Sequence, residues 1–388
     1  MMFMKAGFSD RIFINSSVFL WLVFIVIVSV IVSQQGMSHT VTPSYFFGAD
    51  LWMQGKDLYD GSGRGFIYLP QSAVLFVPFA YLAKLSFSVA EVTWRIISLL
   101  LLVFTLWRFA NLVEPKLIAR AFFIITITSI PLVFSSARNG QFNTILEVMM
   151  LLAVCAVAKE KWCYATFYLV LGLALKPTMV VLLLLLWALY RPLWWRLPIG
   201  LLAIFIFPFF TQTPIYVWHQ YVNSMAMLKT ASALGATTTD WAQFFGLLAE
   251  FKIIISQRLQ DFIRIIAALF ILYCGVRAQK KFNKYQVAIF LYTLASCYLM
   301  LFNPRTENND YGIVAPALGL FITVFFVHSY ILMLLLVFVF LGLVMSGNLS
   351  FNGSREFWSA PFFTVIFTVI VVAQIFYSKM RNTIFKTE

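Results

Sequence analysis

Apolar runs separated by short polar connections repeat along almost the whole chain. A run of about 20 mostly apolar residues crosses a bilayer as a helix, and shorter runs suffice inside a bundle. Twelve runs qualify, at 12–34, 90–111, 117–135, 143–158, 162–175, 178–190, 197–212, 261–278, 284–302, 311–328, 329–346 and 359–378. They predict an all-α polytopic membrane protein with about 12 transmembrane helices. The first run is too long for a signal-peptide core and has no small-residue cleavage site after it.

One further apolar stretch, Leu69 to Leu85, carries Pro70 and Pro78. Counted as a span, it would turn every later loop over and put Arg277, Lys280, Lys281 and Lys284 outside, against the positive-inside rule. It is therefore expected to be a re-entrant or surface-lying element at the outer face. From Ser44 to Gln54, Tyr45, Phe46, Ala49, Trp52 and Met53 recur at helical spacing, which predicts an amphipathic helix on the bilayer surface carrying Asp50. Two long outer segments result, 35–89 and 213–260, with a shorter one at 303–310. Any chemistry is expected on that side.

Composition agrees with the pattern. Of 388 residues, 62% are hydrophobic and 11% charged, which excludes a soluble enzyme with one anchor. The formal net charge of +13 would suggest a polyanion partner in a soluble protein. Here the excess collects in the short connections assigned to the cytoplasmic side, including Lys5, Lys379, Arg381 and Lys386 near the ends. That assignment makes the charge a matter of topology, with both termini cytoplasmic and no nucleic-acid partner. Cys155, Cys163, Cys274 and Cys297 lie in or beside apolar runs with no CxxC spacing, so neither a disulfide framework nor a zinc site is expected.

Four polar groups interrupt the outer side. In the first segment, Asp50, Asp57 and Asp60 precede or join a loop with Gly61, Gly63 and Gly65. A carboxylate held beside apolar surface has a raised pKa suited to general-base work, although solvated loop charges are the commoner occurrence. The run Arg138-Asn139-Gly140-Gln141-Phe142-Asn143 joins a guanidinium to amides at a helix start, a combination able to grip phosphate. Lys176, followed by Pro177, separates two apolar runs that are each short for a bilayer, which favours a cavity holding an anion. Arg305, Glu307, Asn309, Asp310 and Tyr311 crowd the end of a span. There arginine suits phosphate, glutamate suits proton abstraction, and asparagine with tyrosine suits sugar hydroxyls; an Arg305–Glu307 ion pair is the structural alternative.

In this order, Gly-Lys-Asp-Leu-Tyr (55–59), Gly-Phe-Ile-Tyr-Leu-Pro (65–70), Arg-Asn-Gly-Gln-Phe-Asn, Ala-Leu-Lys-Pro (174–177) and Asn-Pro-Arg-Thr-Glu (303–307) resemble the family 87 glycosyltransferases of the GT-C superfamily, over about residues 35–328. The resemblance implies a single integral membrane domain over 1–388 with a GT-C-like fold, in a bacterial inner membrane. It also implies an inverting enzyme moving a sugar, mannose or a pentose, from a polyprenyl-phosphate donor to a glycolipid or polysaccharide acceptor of the cell envelope. Members place a catalytic aspartate early in the first outer loop. Residues 40–45 hold no acid, so either Asp50 or Glu307 takes that role. Arg138, Lys176 and Arg305 are then the candidates for the phosphate, and Gln141, Asn143, Asn309, Tyr311 and Tyr68 for the sugar. One carboxylate per loop is thin for an all-protein divalent cation site, which leaves metal dependence open. A secondary transporter or lipid flippase is the rival reading, with Lys176 between short helices in its favour. A noncatalytic envelope-assembly subunit is the third.

Overall fold

The computed structural model describes residues 8–59, 65–234, 241–346 and 358–377. The expected loop glycines Gly61 and Gly63 with Asp60, and the terminal lysines and arginine, lie outside the described residues. Among the described residues the ordered elements are helical and there is no strand. In chain order the helices are α1 (Phe8–Gln35), α2 (Thr42–Met53), α3 (Pro70–Leu85), α4 (Phe87–Ala110), α5 (Ile118–Asn139), α6 (Asn143–Ala158), α7 (Trp162–Leu175), α8 (Val180–Leu189), α9 (Leu193–Ile206), α10 (Pro214–Leu234), α11 (Phe244–Glu250), α12 (Gln257–Lys281), α13 (Lys284–Phe302), α14 (Ala315–His328), α15 (Tyr330–Met345) and α16 (Ser359–Tyr377).

Each of the twelve apolar runs is helical, but they differ in reach. Among the described residues, eight helical segments are long and apolar enough to cross a bilayer: α1, α4, α5 with its preceding turn, α9 with the turn after it, α12, α13, α14 with its leading 3-10 turn, and α16. The others, at 143–158, 162–175, 177–189 and 330–345, are shorter. Burial explains α6, whose residues are almost all inside the bundle, so that protein rather than lipid surrounds it. By contrast α1 and α12 turn most of their apolar surface outward, as lipid contact requires.

The connections sort to two ends. At one end, Lys284 lies 3.8 Å from Glu160, Trp162 packs on Tyr190, and Gln279 donates to the Leu189 carbonyl at 3.3 Å. Lysines and arginines gather there, among them Lys161, Arg191, Lys280 and Lys281. At the other end lie the turns after α1, α5, α7 and α13, together with α2, α3, α10 and α11.

The first outer segment is more deeply packed than its pattern predicts. The helix expected at 44–54 starts two residues earlier, at Thr42, and buries Thr42, Tyr45, Phe46, Gly48, Ala49, Leu51 and Trp52. It is a core helix of the layer at this end of the bundle, not a float on the bilayer. Gly48 explains the close approach: a Cβ there would sit 2.5 Å from the Phe66 ring. The stretch at Leu69–Leu85 forms α3, with Pro70 in its first turn, where a missing N–H costs nothing. The Gly-Lys-Asp-Leu-Tyr motif acts as a fastener. The Leu58 amide donates to Gln220 Oε1 at 3.0 Å, Asn223 donates to Asp57 Oδ2 at 2.9 Å, and the Tyr216 hydroxyl donates to the Lys56 carbonyl at 2.6 Å. These bonds lash the loop to α10.

Candidate active site

Three helix breaks build the site. Gly140, in the left-handed region at φ +67°, ends α5, and the Gln141 amide bonds back to the Ser136 carbonyl at 3.1 Å. That turn delivers Gln141 and Asn143 to the start of α6. Lys176 is extended between α7 and the 3-10 turn Pro177–Met179, because proline cannot continue the preceding helix. Asn303 and Pro304 end α13, and the chain re-enters through the 3-10 turn Asn308–Val314. The Glu307 amide donates to Asp310 Oδ2 at 2.7 Å and fixes that re-entry. A strap at 241–243 holds the turn from outside: Ala242 N donates to the Thr306 carbonyl at 2.8 Å, and the Tyr311 hydroxyl donates to the Ala242 carbonyl at 2.7 Å.

These breaks surround a cavity of about 580 Å³, lined by Thr40, Val41, Tyr45, Tyr68, Gln141, Asn143, Lys176, Trp241, Arg305, Glu307 and Asp310 among others. Among the described residues, its charges are two cations, Lys176 and Arg305, and two carboxylates, Glu307 and Asp310. Lys176 Nζ lies 3.6 Å from Asp310 Oδ1, with Asn143 bridging them: its carbonyl oxygen accepts from Lys176 and its amide donates to Asp310. Gln141 joins the network, with its carbonyl oxygen accepting from Asn143 at 2.8 Å and its amide donating to Glu307 Oε2 at 3.2 Å. Arg305 makes no pair with Glu307; its guanidinium sits 5.0 Å from the centre of the Trp241 ring. That stacking leaves its in-plane N–H groups available to another acceptor.

Electrostatics separate the two acids. Asp310 is buried, and both its oxygens are engaged. Glu307 is only partly buried. Burial, and then the Asp310 carboxylate, push Glu307 above the usual carboxylate range, while the Gln141 bond and the Lys176 charge oppose the shift. Burial pushes the Tyr68 hydroxyl up to about 12 against the pull of its bond with Tyr45, so it faces the cavity as a neutral group. The wall behind it is aromatic, with Tyr45 stacked on Phe142 at 4.2 Å between ring centres.

Five of the ten residues singled out as candidates line the cavity with a polar or charged group in it: Lys176, Arg305, Glu307, Gln141 and Asn143. Tyr68 is a sixth. Asn309 sits just behind, donating to Glu307 Oε2 at 3.4 Å. The other three do not line it. Asp50 is paired with Lys84 and accepts from Gln54 at 2.6 Å, because its position on α2 turns it toward the end of α3. Arg138 bonds its neighbour Asn139 at 3.3 Å, since the Gly140 turn faces the next residues, not this one, into the cavity. Tyr311 is buried against the 241–243 strap. The sequence reading missed two residues of weight. Asp310 was noted only as part of a crowd, although its i+3 spacing from Glu307 is the signal of a capped turn. Glu91, on α4, lies in an apolar run where a carboxylate is costly unless partnered. Among the described residues, no three His, Cys, Asp or Glu side chains gather as a metal-ion site would require.

The pocket's contents suit handling a phosphorylated, hydroxyl-rich headgroup at the end of a helical bundle. No curated protein matches the chain. The profile of glycosyltransferase family 87 matches residues 66–304, which covers the α3 to α13 scaffold and stops just short of Glu307. With well over half its length so matched, the chain belongs to glycosyltransferase family 87.

Proposed function

We propose that the pocket transfers a sugar from a polyprenyl-phosphate carrier to a hydroxyl of a glycolipid or polysaccharide acceptor, with inversion at the anomeric carbon. The observation that carries this reading is the gathering of Lys176, Arg305 and the partly buried Glu307 around one cavity at the end of the bundle away from the basic rim. By the positive-inside rule that end faces outward, with the termini inside.

A glycosyl phosphate already carries a good leaving group, so catalysis reduces to deprotonation, alignment and charge stabilisation. Glu307 takes the proton from the acceptor hydroxyl, and the oxygen attacks C1 from the face opposite the phosphate. The bond from C1 to the phosphate oxygen breaks, and its electron pair leaves with the phosphate, which Lys176 and Arg305 hold. Asp310 and Asn143 aim Lys176, while Gln141 and Tyr68 are in place for sugar hydroxyls. Glu307 is preferred to Asp310 as the base because it is less enclosed, while both Asp310 oxygens are already engaged, and because burial raises the Glu307 pKa from its ordinary value. Asp50, outside the cavity, drops out of the choice.

The test is incubation of purified protein with a panel of labelled polyprenyl-phosphate mannose and pentose donors plus membrane lipid extract, with mass analysis of product. Glu307→Gln should bind carrier yet form no product. A panel without glycosidic product from the intact protein refutes the transferase reading and favours transport of the lipid-linked sugar.

A further inference from the structure

Glu91 and Arg95, one turn apart on α4, form an ion pair 2.8 Å long in which each side chain is 1% exposed. Taking two charges out of water costs more than their attraction returns unless further hydrogen bonds engage them. Here those bonds run to two separate turns at the cavity. Glu91 accepts from Thr40 at 2.9 Å and from Thr42. Arg95 Nη2 donates to Thr40 Oγ1 at 2.8 Å and to the Arg138 carbonyl at 3.1 Å. A Cβ on Gly140 would lie 2.5 Å from the Arg95 guanidinium carbon, so the turn rests directly on it. The Trp94 indole N–H donates to the Gly140 carbonyl at 3.0 Å, and the Val41 amide donates to the Asn139 carbonyl at 3.0 Å.

Neither charge lines the cavity, but both turns do. Thr40 and Val41 belong to one, Gln141 to the other. Gln141 in turn donates to Glu307 at 3.2 Å.

We infer that Glu91 and Arg95 are a positioning pair for the transfer reaction: they lock the 40–42 turn against the 138–141 turn and, through Gln141, aim the Glu307 carboxylate. The inference rests on the transferase reading of the pocket. A pair needed only for packing would be replaceable by apolar side chains of similar size without loss of rate. A positioning pair is not, because apolar side chains cannot bond Thr40, Thr42 and the Arg138 carbonyl.

The experiment uses the full-length protein in lipid nanodiscs. In Glu91→Leu/Arg95→Met the fold is kept and kcat drops by about tenfold or more, as small misalignments at a reacting centre do. The acid limb of its pH profile moves to higher pH, because the Gln141 bond that holds Glu307 down is loosened while Asp310, Lys176, Arg305 and Tyr68 still face it. Thr42→Val, a near-isosteric change, gives the same limb shift with a smaller loss; Thr42→Ser, which keeps the hydroxyl, restores both. Wild-type kcat and an unmoved limb in Thr42→Val or in the double variant overturn the inference. Hydrogen exchange needs no substrate. Thr42→Val should speed exchange in 40–44 and in 138–143 together, and unchanged protection in both overturns the inference as well. An intact protein without transferase activity counts against the reading of the pocket and leaves the exchange result to judge the pair.

Discussion

Asp310→Asn should make the protein bind its carrier more tightly while slowing it. In the resting pocket Lys176 is held 3.6 Å from Asp310 Oδ1, and the two side chains are 20% and 7% exposed. Two unit charges at that distance attract by about 4–5 kcal/mol at an effective dielectric near 20. An arriving phosphate competes with Asp310 for the same ammonium and is itself repelled by the carboxylate. Asparagine removes both effects and keeps an oxygen for the Glu307 amide. Water and Asn143 share part of the lysine, so if about a third of the attraction acts as competition, roughly 1.5 kcal/mol is released, or about tenfold in Kd. The assay is equilibrium binding of a fluorescent polyprenyl phosphate in nanodiscs, with Lys176→Met as the opposing control, expected to weaken binding by at least about tenfold. If Asp310→Asn leaves Kd unchanged or raises it, Lys176 does not receive the phosphate and the charge assignment of the pocket fails.

Other outcomes follow from the same geometry. Glu307→Gln should lower kcat by about 10²–10⁴-fold, the usual contribution of a positioned base, with carrier Kd changed little. Because the active form of Glu307 is the ionised one and its pKa is raised, kcat should fall on acidification through a midpoint above the ordinary value of about 4.3, measured as a pH–rate profile. Removing the Lys176 charge should move that midpoint up and removing the Asp310 charge should move it down, so shifts of one sign in both variants would contradict the electrostatics. Asp50→Asn should leave kcat within about twofold, as expected for a surface ion pair away from the chemistry. Gly140→Ala should destabilise the protein by about 1–2 kcal/mol from backbone strain alone, read as a lower thermal midpoint, with further loss from displacing Arg95.

The helical scaffold was legible because bilayer-length apolar runs are long, strong signals, and every run became a helix. Reach was less legible: α6 is 16 residues long and buried on nearly all sides, a property of its neighbours and not of its own sequence. Lys176, Arg305 and Glu307, which the structure brings to one cavity, stand out in the sequence because a charge at the end of an apolar run is costly and conspicuous. Arg138 stands out for the same reason, but one turn of backbone at Gly140 decides that Gln141, and not the arginine, lines the cavity. Asp50 misled because a helix face inferred from Tyr45, Phe46 and Trp52 does not say which partner helix offers a lysine. Glu91 stayed hidden because its i,i+4 spacing to Arg95 reads as an ordinary helix-surface pair, while the partners that tie it to the cavity turns, Thr40 and Thr42, are distant in sequence and carry no charge.

The brevity of α7 and α8 has a consequence for the surrounding lipid. Their 14 and 10 residues reach only about 21 and 15 Å at ~1.5 Å per residue, against a hydrocarbon layer of about 30 Å. A leaflet meeting such short walls dips toward them and thins. Lys176 joins these two short helices, so on the transferase reading proposed above such thinning would bring a tail-anchored headgroup toward the ammonium with its chain still among neighbouring acyl chains.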